Sequence, residues 1–94
     1  MHTSTATIST SHASRYLQQL CKHFGHKVPV EFTLNEGHVA LPFGECSMTA
    51  DDDRLTLKAS AQSASLERME RFIGDHLARF AFRENPTIEW QRAA

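Results

Sequence analysis

The stretch Val28–Ala59, VPVEFTLNEGHVALPFGECSMTADDDRLTLKA, decides the fold. Val28, Val30, Phe32 and Leu34 fall on every second position, the period of a strand with one buried face. Pro29 lacks an N–H and marks a strand start or a sheet edge. Asn35-Glu36-Gly37 reads as a short hairpin loop, after which Val39 and Leu41 continue on a second strand. Pro42-Phe43-Gly44 turns the chain again, and Cys46 and Met48 sit two apart on a third strand. Asp51-Asp52-Asp53 is a turn, and Leu55, Leu57 and Ala59 alternate on a fourth.

Helical spacing appears on both sides of this run. Ala13, Tyr16, Leu17, Leu20, Cys21 and Phe24 recur at intervals of three and four and form one apolar stripe. Thr10 or Ser11 can cap that helix, and Gly25 suits the left-handed residue that ends one. Downstream, Leu66, Met69, Ile73, Leu77 and Phe80 form a second stripe, flanked by Phe72 and His76 and opened by Ser63 as cap. Pro86 bars a helix from running beyond about residue 84. Residues 4–9 (STATIS) and 87–90 (TIEW) read as short outer strands. The expected order is β-α-β-β-β-β-α-β. It implies an α+β two-layer sandwich, mainly antiparallel, with both helices on one face of the sheet.

Composition sets bounds on function. The chain has 94 residues, enough for one domain over 1–94 that buries roughly 60–65% of its unfolded surface. The net charge of −1 lacks the Lys/Arg excess of a nucleic-acid binder. Residues 1–50 carry three basic and three acidic groups, and residues 51–94 carry seven and eight, so the second half favours salt bridges. Two cysteines, Cys21 and Cys46, do not make a disulfide scaffold. The first residues lack the basic and apolar regions of a signal peptide, and no apolar run approaches the roughly 20 residues of a membrane span. The expectation is a cytoplasmic protein with reduced thiols, no membrane association and no bound cofactor.

Cys21, His23 and His26 have the look of metal-ligand spacing, but side chains two apart on a helix diverge by about 200°. His23 and His26 alone supply two ligands where structural zinc needs four, so no metal is expected. Lys22, His23, His26 and Lys27 form a basic cluster at a helix end, where cations also stabilise the helix dipole by typically ~0.3–1 kcal/mol. His76, Arg79 and Arg83 share one face of the second helix, within a sector about 60° wide. Such a stripe near Phe72 and Phe82 suits a carboxylate or phosphate, although Asp75 is placed to pair with Arg79. No nucleophile elbow, glycine-rich phosphate loop or EF-hand loop is present, and no catalytic residue is assigned.

The segments RYLQQLCKHFGHKVPV, PFGECSMTA and HLARFAFRENPTIEW carry a family resemblance. Its residues are Tyr16, Leu20, Cys21, Lys22, His23, Phe24, His26, Lys27, Pro42, Gly44, Cys46, His76, Leu77, Arg79, Phe80, Phe82, Arg83 and Trp90. From about Thr5 to Arg92 the chain resembles a family of small bacterial proteins known as a domain of unknown function, number twenty-two eighteen. That family keeps genomic company with iron-uptake proteins, including siderophore-interacting reductases. The resemblance therefore implies an accessory role in iron or siderophore handling. The ligand-binding residues expected are Lys22, His23, His26, Lys27, His76, Arg79 and Arg83, brought together if the two helices pack side by side and parallel. The partner would be an anionic small molecule, such as a ferric chelate, or a siderophore-related protein. A structural subunit that forms homo-oligomers through a sheet edge is the second reading. A metal- or thiol-dependent enzyme ranks third.

Overall fold

The computed structural model describes residues 1–93. Its element order is β1 (His2–Ser9), α1 (Ala13–Phe24), β2 (Val30–Phe32), β3 (Glu36–Leu41), β4 (Gly44–Ala50), β5 (Arg54–Ala61), α2 (Ser63–Phe80) and β6 (Trp90–Arg92). This is the expected α+β order. The six strands form one sheet in the order β2-β3-β4-β5-β1-β6, and every neighbouring pair is antiparallel.

Alternation in the sequence sets which side of the sheet is covered. Ala6 and Ile8 of β1, Val39 of β3, Cys46, Met48 and Ala50 of β4, and Leu55, Leu57, Ala59 and Ala61 of β5 are all buried beneath the helices. The intervening positions, Thr7 and Ser9, Ser47 and Thr49, and Lys58, are exposed on the other face. From the helix side, α1 buries Ala13, Tyr16, Leu17, Leu20, Cys21 and Phe24, and α2 buries Leu66, Met69, Ile73 and Leu77. Phe80, expected on the second stripe, is only half-buried.

Several sequence expectations change in detail. Gly25 caps α1 in the right-handed conformation, φ −62° and ψ −14°, not the left-handed one. The amides of Gly25, Lys27 and Val28 continue to bond α1 carbonyls, so the chain unwinds gradually and needs no positive φ. The β2–β3 turn lies at residues 33–35, where Thr33 Oγ1 accepts from the amides of Asn35 and Glu36. Gly37 is therefore not a loop residue. It sits buried in β3 beneath α1, where a Cβ would lie 2.8 Å from Cys21 Sγ. The strand expected over 28–34 shrinks to Val30–Phe32, because α1 covers only its near end and leaves Phe32 and Leu34 exposed. Neither Ser11 nor Ser63 caps a helix with its side chain. Thr10 instead accepts from the His12 amide while donating to Glu84 Oε1 at 2.9 Å.

The final strand forms later than expected. Asn85 takes a positive φ of 47°, Pro86 follows, and the chain runs along α2 before β6 pairs with β1. The return passes over Gly74, where a Cβ would make ordinary contacts with Trp90 Nε1 at 3.5 Å and Ile88 at 3.8 Å. A buried carboxylate anchors the end. Glu70 of α2 accepts from Ser4 Oγ at 2.6 Å and from Arg92 Nε and Nη2 at 3.1 and 2.9 Å. The Arg92 hydrogen bonds hold its carboxyl below the usual range, against the opposing effect of burial.

Gly44 and Gly25 test the packing argument separately. A Cβ on Gly44 would meet Ser60 O at 2.7 Å and Met69 Cγ and Sδ at 2.9 Å. Gly44→Ala is expected to lower unfolding stability by about 2 kcal/mol through overpacking. At Gly25 a Cβ would meet Cys21 O at 3.1 Å. That tight contact offsets the usual Gly→Ala gain, so Gly25→Ala is expected to stay within about 0.5 kcal/mol of the parent. Urea melts of both variants measure the two effects.

Candidate functional site

The two helices run antiparallel. Thr10, just before α1, bonds Glu84 beyond the end of α2, whereas Phe24 at the end of α1 stacks on Phe72 near the middle of α2. The parallel packing assumed from sequence is therefore wrong: α2 leaves β5, which runs opposite to β1, the strand that precedes α1. The end of α1 still meets the His76 stretch of α2, because α2 is long enough for His76 to fall inside the crossing.

At that crossing lies a cleft of about 470 Å³, lined by His23, Phe24, His26, Lys27, Val28, Leu41, Pro42, Phe43, Phe72 and His76. Three segments supply it: the end of α1, the first half-turn after it, and the Leu41–Phe43 hairpin bend, all closing against α2. Phe24 and Phe72 are stacked, with ring centres 5.5 Å apart and planes 24° from parallel. Phe43 stands perpendicular to Phe72 at 5.6 Å, with the Arg68 guanidinium 4.0 Å from the Phe43 ring centre. The aromatic floor is thus held from three sides.

Two histidines meet over this floor. The rings of His23 and His76 lie 5.1 Å apart, and His76 also packs on Phe72 at 4.5 Å and Phe24 at 5.1 Å. His76 Nδ1 sits 2.7 Å from the Phe72 carbonyl, one turn back on its own helix. A carbonyl only accepts, so Nδ1 is the donor in neutral His76 and Nε2 is left as its acceptor. Desolvation holds the His23 pKa below the ordinary imidazole value, reinforced by the positive charges of His76, His26, Arg79 and Lys27.

Of the seven residues expected to bind a ligand, His23, His26, Lys27 and His76 line this cleft together. Arg79 is close enough to bear on His23 electrostatically. Lys22 is exposed and outside the lining. Arg83 lies in another groove of about 400 Å³, with His12, Arg15, Tyr16, Gln19, Phe80, Phe82 and Glu84. The antiparallel crossing is what separates it, since the end of α2 returns to the start of α1. Phe43, Leu41 and Pro42 were not marked as site residues, because only the hairpin geometry brings them under the end of α1. Among the described residues, no group of three or more His, Cys, Asp or Glu side chains is placed to hold a metal ion. The cysteines are buried core residues, and burial pushes the Cys21 thiol up to about 11 and the Cys46 thiol up to about 12.

The chain is similar to known proteins at two levels. Residues 5–91 match the model of a family described as "Uncharacterized protein conserved in bacteria (DUF2218)". A structure of PA4090 from Pseudomonas aeruginosa, determined by NMR, matches with a TM-score of 0.81 and 36% identity. That match covers 97% of this chain and 96% of the other. No curated protein matches. Among the described residues, no helix is long and apolar enough to cross a membrane.

Two measurements check the site's electrostatics. With its folded pKa below the unfolded value near 6.5, His23 binds less proton when folded, so its contribution is intact above that pH and is lost as pH falls through it. Urea melts from about pH 7 to about pH 5 are expected to show a shallower loss of stability in His23→Gln than in the parent. A chromogenic thiol reagent at neutral pH is expected to leave Cys21 and Cys46 almost unreacted until denaturant is added.

Proposed function

The chain belongs to the DUF2218 family of bacteria, and from that premise we propose that it is a ligand-binding module, not an enzyme, that holds a small anionic molecule in the cleft between α1, α2 and the Leu41–Phe43 bend. One observation carries this reading. Every ionisable group lining the cleft, namely His23, His26, Lys27 and His76, is neutral or positive. Carboxylates line the grooves around it: Glu67 and Asp75 on one side of α2, Glu84 at its far end, and Glu31 and Glu36 along β2 and β3. In a chain of net charge −1, one acid-free basic cleft marks where an anion is favoured.

The bland account of these cations is helix-end stabilisation. It explains Lys22 and His23 in the last turn of α1 but not the placement of His76, which lies about one turn before the end of α2 and turns its ring onto His23. It also leaves the aromatic floor without a purpose. Iron or siderophore handling is the finer form of the proposal. Ferric chelates join negative charge to a bulky, often aryl-bearing body, and both features suit these walls.

Thiol chemistry finds little support, since both sulfurs are buried with raised pKa values. Self-assembly is the second reading and rests on the exposed Phe32 and Leu34 at the β2 edge, 39% and 64% accessible.

The test is an NMR titration of the full chain with citrate, ferric citrate and benzoate. At least one is expected to shift the resonances of His23, His26, Lys27 and His76 together. Lys27→Glu is expected to weaken that binding about tenfold, equivalent to ~1.4 kcal/mol, and added salt to weaken it further. If none of the three perturbs the cleft up to about 10 mM, an affinity too weak for a dedicated site, the binding reading is wrong.

A further inference from the structure

The cleft's walls say more about its ligand than its charge does. Six of its ten lining residues, Phe24, Val28, Leu41, Pro42, Phe43 and Phe72, have no polar side-chain atom. The remaining four gather along the edge formed by the end of α1 and by His76 of α2. A ligand that satisfies both parts has a flat apolar body and one negative end.

Phosphate fits poorly, and the backbone shows why. Phosphate sites are built from free amides at helix N-termini or in glycine-rich nests. Here the cleft borders the C-terminus of α1, whose dipole opposes concentrated negative charge on the axis. The amides nearby are already engaged: Gly25 bonds Cys21 O at 2.9 Å, His26 bonds His23 O at 3.5 Å, and Lys27 and Val28 both bond Phe24 O at 3.0 Å. At the end of α1, side chains are therefore the donors that remain, and they lie off the helix axis.

Those side chains also set a protonation requirement. With Nδ1 bonded to the Phe72 carbonyl, neutral His76 presents a lone pair at Nε2, and protonated His76 presents an N–H there. His23 faces it with ring centres 5.1 Å apart. The charged neighbours are His26 and Lys27 after α1 and Arg79 on α2, while the Leu41–Phe43 bend and Val28 add no ionisable group. A proton placed on His23 meets desolvation first, and then the positive charges of Arg79 and Lys27 and of the neighbouring histidines when they are protonated. A carboxylate placed beside the pair, accepting from a ring N–H, reverses that balance.

Building on the reading of the cleft as an anion site, we infer that its ligand is a planar aromatic carboxylate, seated with its ring among Phe24, Phe43 and Phe72 and its carboxylate at the His23–His76 pair, and bound with uptake of a proton from solvent onto that pair. The ring supplies apolar contact, the carboxylate accepts from the imidazolium N–H, and Lys27 and His26 close the rim. No covalent step is involved, and the proton comes from the buffer and returns to it on release.

Calorimetry on the full chain tests this with four probes: 2-naphthoate, 2-naphthylmethanol, acetate and inorganic phosphate. The expected result is 2-naphthoate binding at least about tenfold tighter than each of the other three, because only it matches wall and rim together. Measured near pH 7.5 in PIPES and in Tris, its binding heats are expected to differ by the buffer ionisation heat of about half to one proton taken up, since an imidazole is largely neutral there when free. His76→Phe keeps the aromatic packing and removes the titrating nitrogen. It is expected to reduce 2-naphthoate affinity about tenfold and abolish most of the proton uptake.

If His76→Phe does not fold by circular dichroism, the two-buffer experiment on the parent chain decides alone. Phosphate or acetate binding as tightly as 2-naphthoate overturns the aromatic class and leaves the anion site standing. Equal binding by 2-naphthylmethanol overturns both. Binding of 2-naphthoate with no buffer dependence overturns the proton uptake, and no binding by any probe overturns the inference outright.

Discussion

Phe24 and Phe72 stack where α1 ends and α2 is at mid-length, and the cleft exists because of that contact. The stack fixes the crossing of two antiparallel helices at one point. His23, next to Phe24, and His76, one turn after Phe72, are then forced into ring contact at 5.1 Å. Phe43 closes the group from the β3–β4 bend by standing perpendicular to Phe72. Phe24 is buried in the core, while Phe43 and Phe72 are only half-buried, so the cluster is rooted in the core and forms the wall of a depression on its outer side. Aromatic pairs of this kind contribute roughly 0.5–1.5 kcal/mol each beyond area burial, enough to hold a wall in place.

The fold was legible because two periods alternate cleanly along the chain. Strand alternation over Val39–Leu41, Gly44–Ala50 and Arg54–Ala61 and helical spacing over Ala13–Phe24 and Ser63–Phe80 are local signals that burial confirms, apart from the half-buried Leu41 and Phe80 at the element ends. Boundaries were legible only where local chemistry sets them. Pro42-Phe43 turns β3 into β4 as expected, but Gly25 and Gly37 misled for the same reason. Glycine marks either a backbone that needs positive φ or a place where another element comes close. Gly37 belongs to the second kind, and the neighbour responsible, Cys21, lies on a different element. Gly25 belongs to neither, since its right-handed cap is open to any residue.

The site was half legible for a related reason. His23, His26, Lys27 and His76 were marked by residue type and spacing, and the fold brings them together. Arg83, expected on the same helical face as His76, lies instead in the turn after α2 ends at Phe80, and the antiparallel crossing brings that turn to the start of α1. Helix direction depends on strand order, which no local pattern encodes. Glu70 shows the converse. It falls between Met69 and Ile73 on the buried stripe of α2, a position where a carboxylate is tolerated only with partners. That signal was passed over in the sequence; Ser4 and the exposed Arg92 supply the partners from the two ends of the chain.

Acids and bases are therefore segregated by what each can bond. Glu70 is held by Arg92 and Ser4, and Glu84 by Thr10 and Tyr16, which keep both carboxyls below the usual range. These acids tie down the ends of the chain, where a fixed charge has fixed donors. The cleft has no carboxylate in its lining, and desolvation, with the nearby positive charges adding to it, lowers the His23 pKa. A purely structural cluster would relieve that repulsion with a nearby Asp or Glu, as His12 does with Glu84 and His38 with Glu45. His23 and His76 have imidazole and phenyl rings as neighbours instead. The missing counter-charge is the physical difference between this histidine pair and the others, and an anion from solution is the simplest group to supply it.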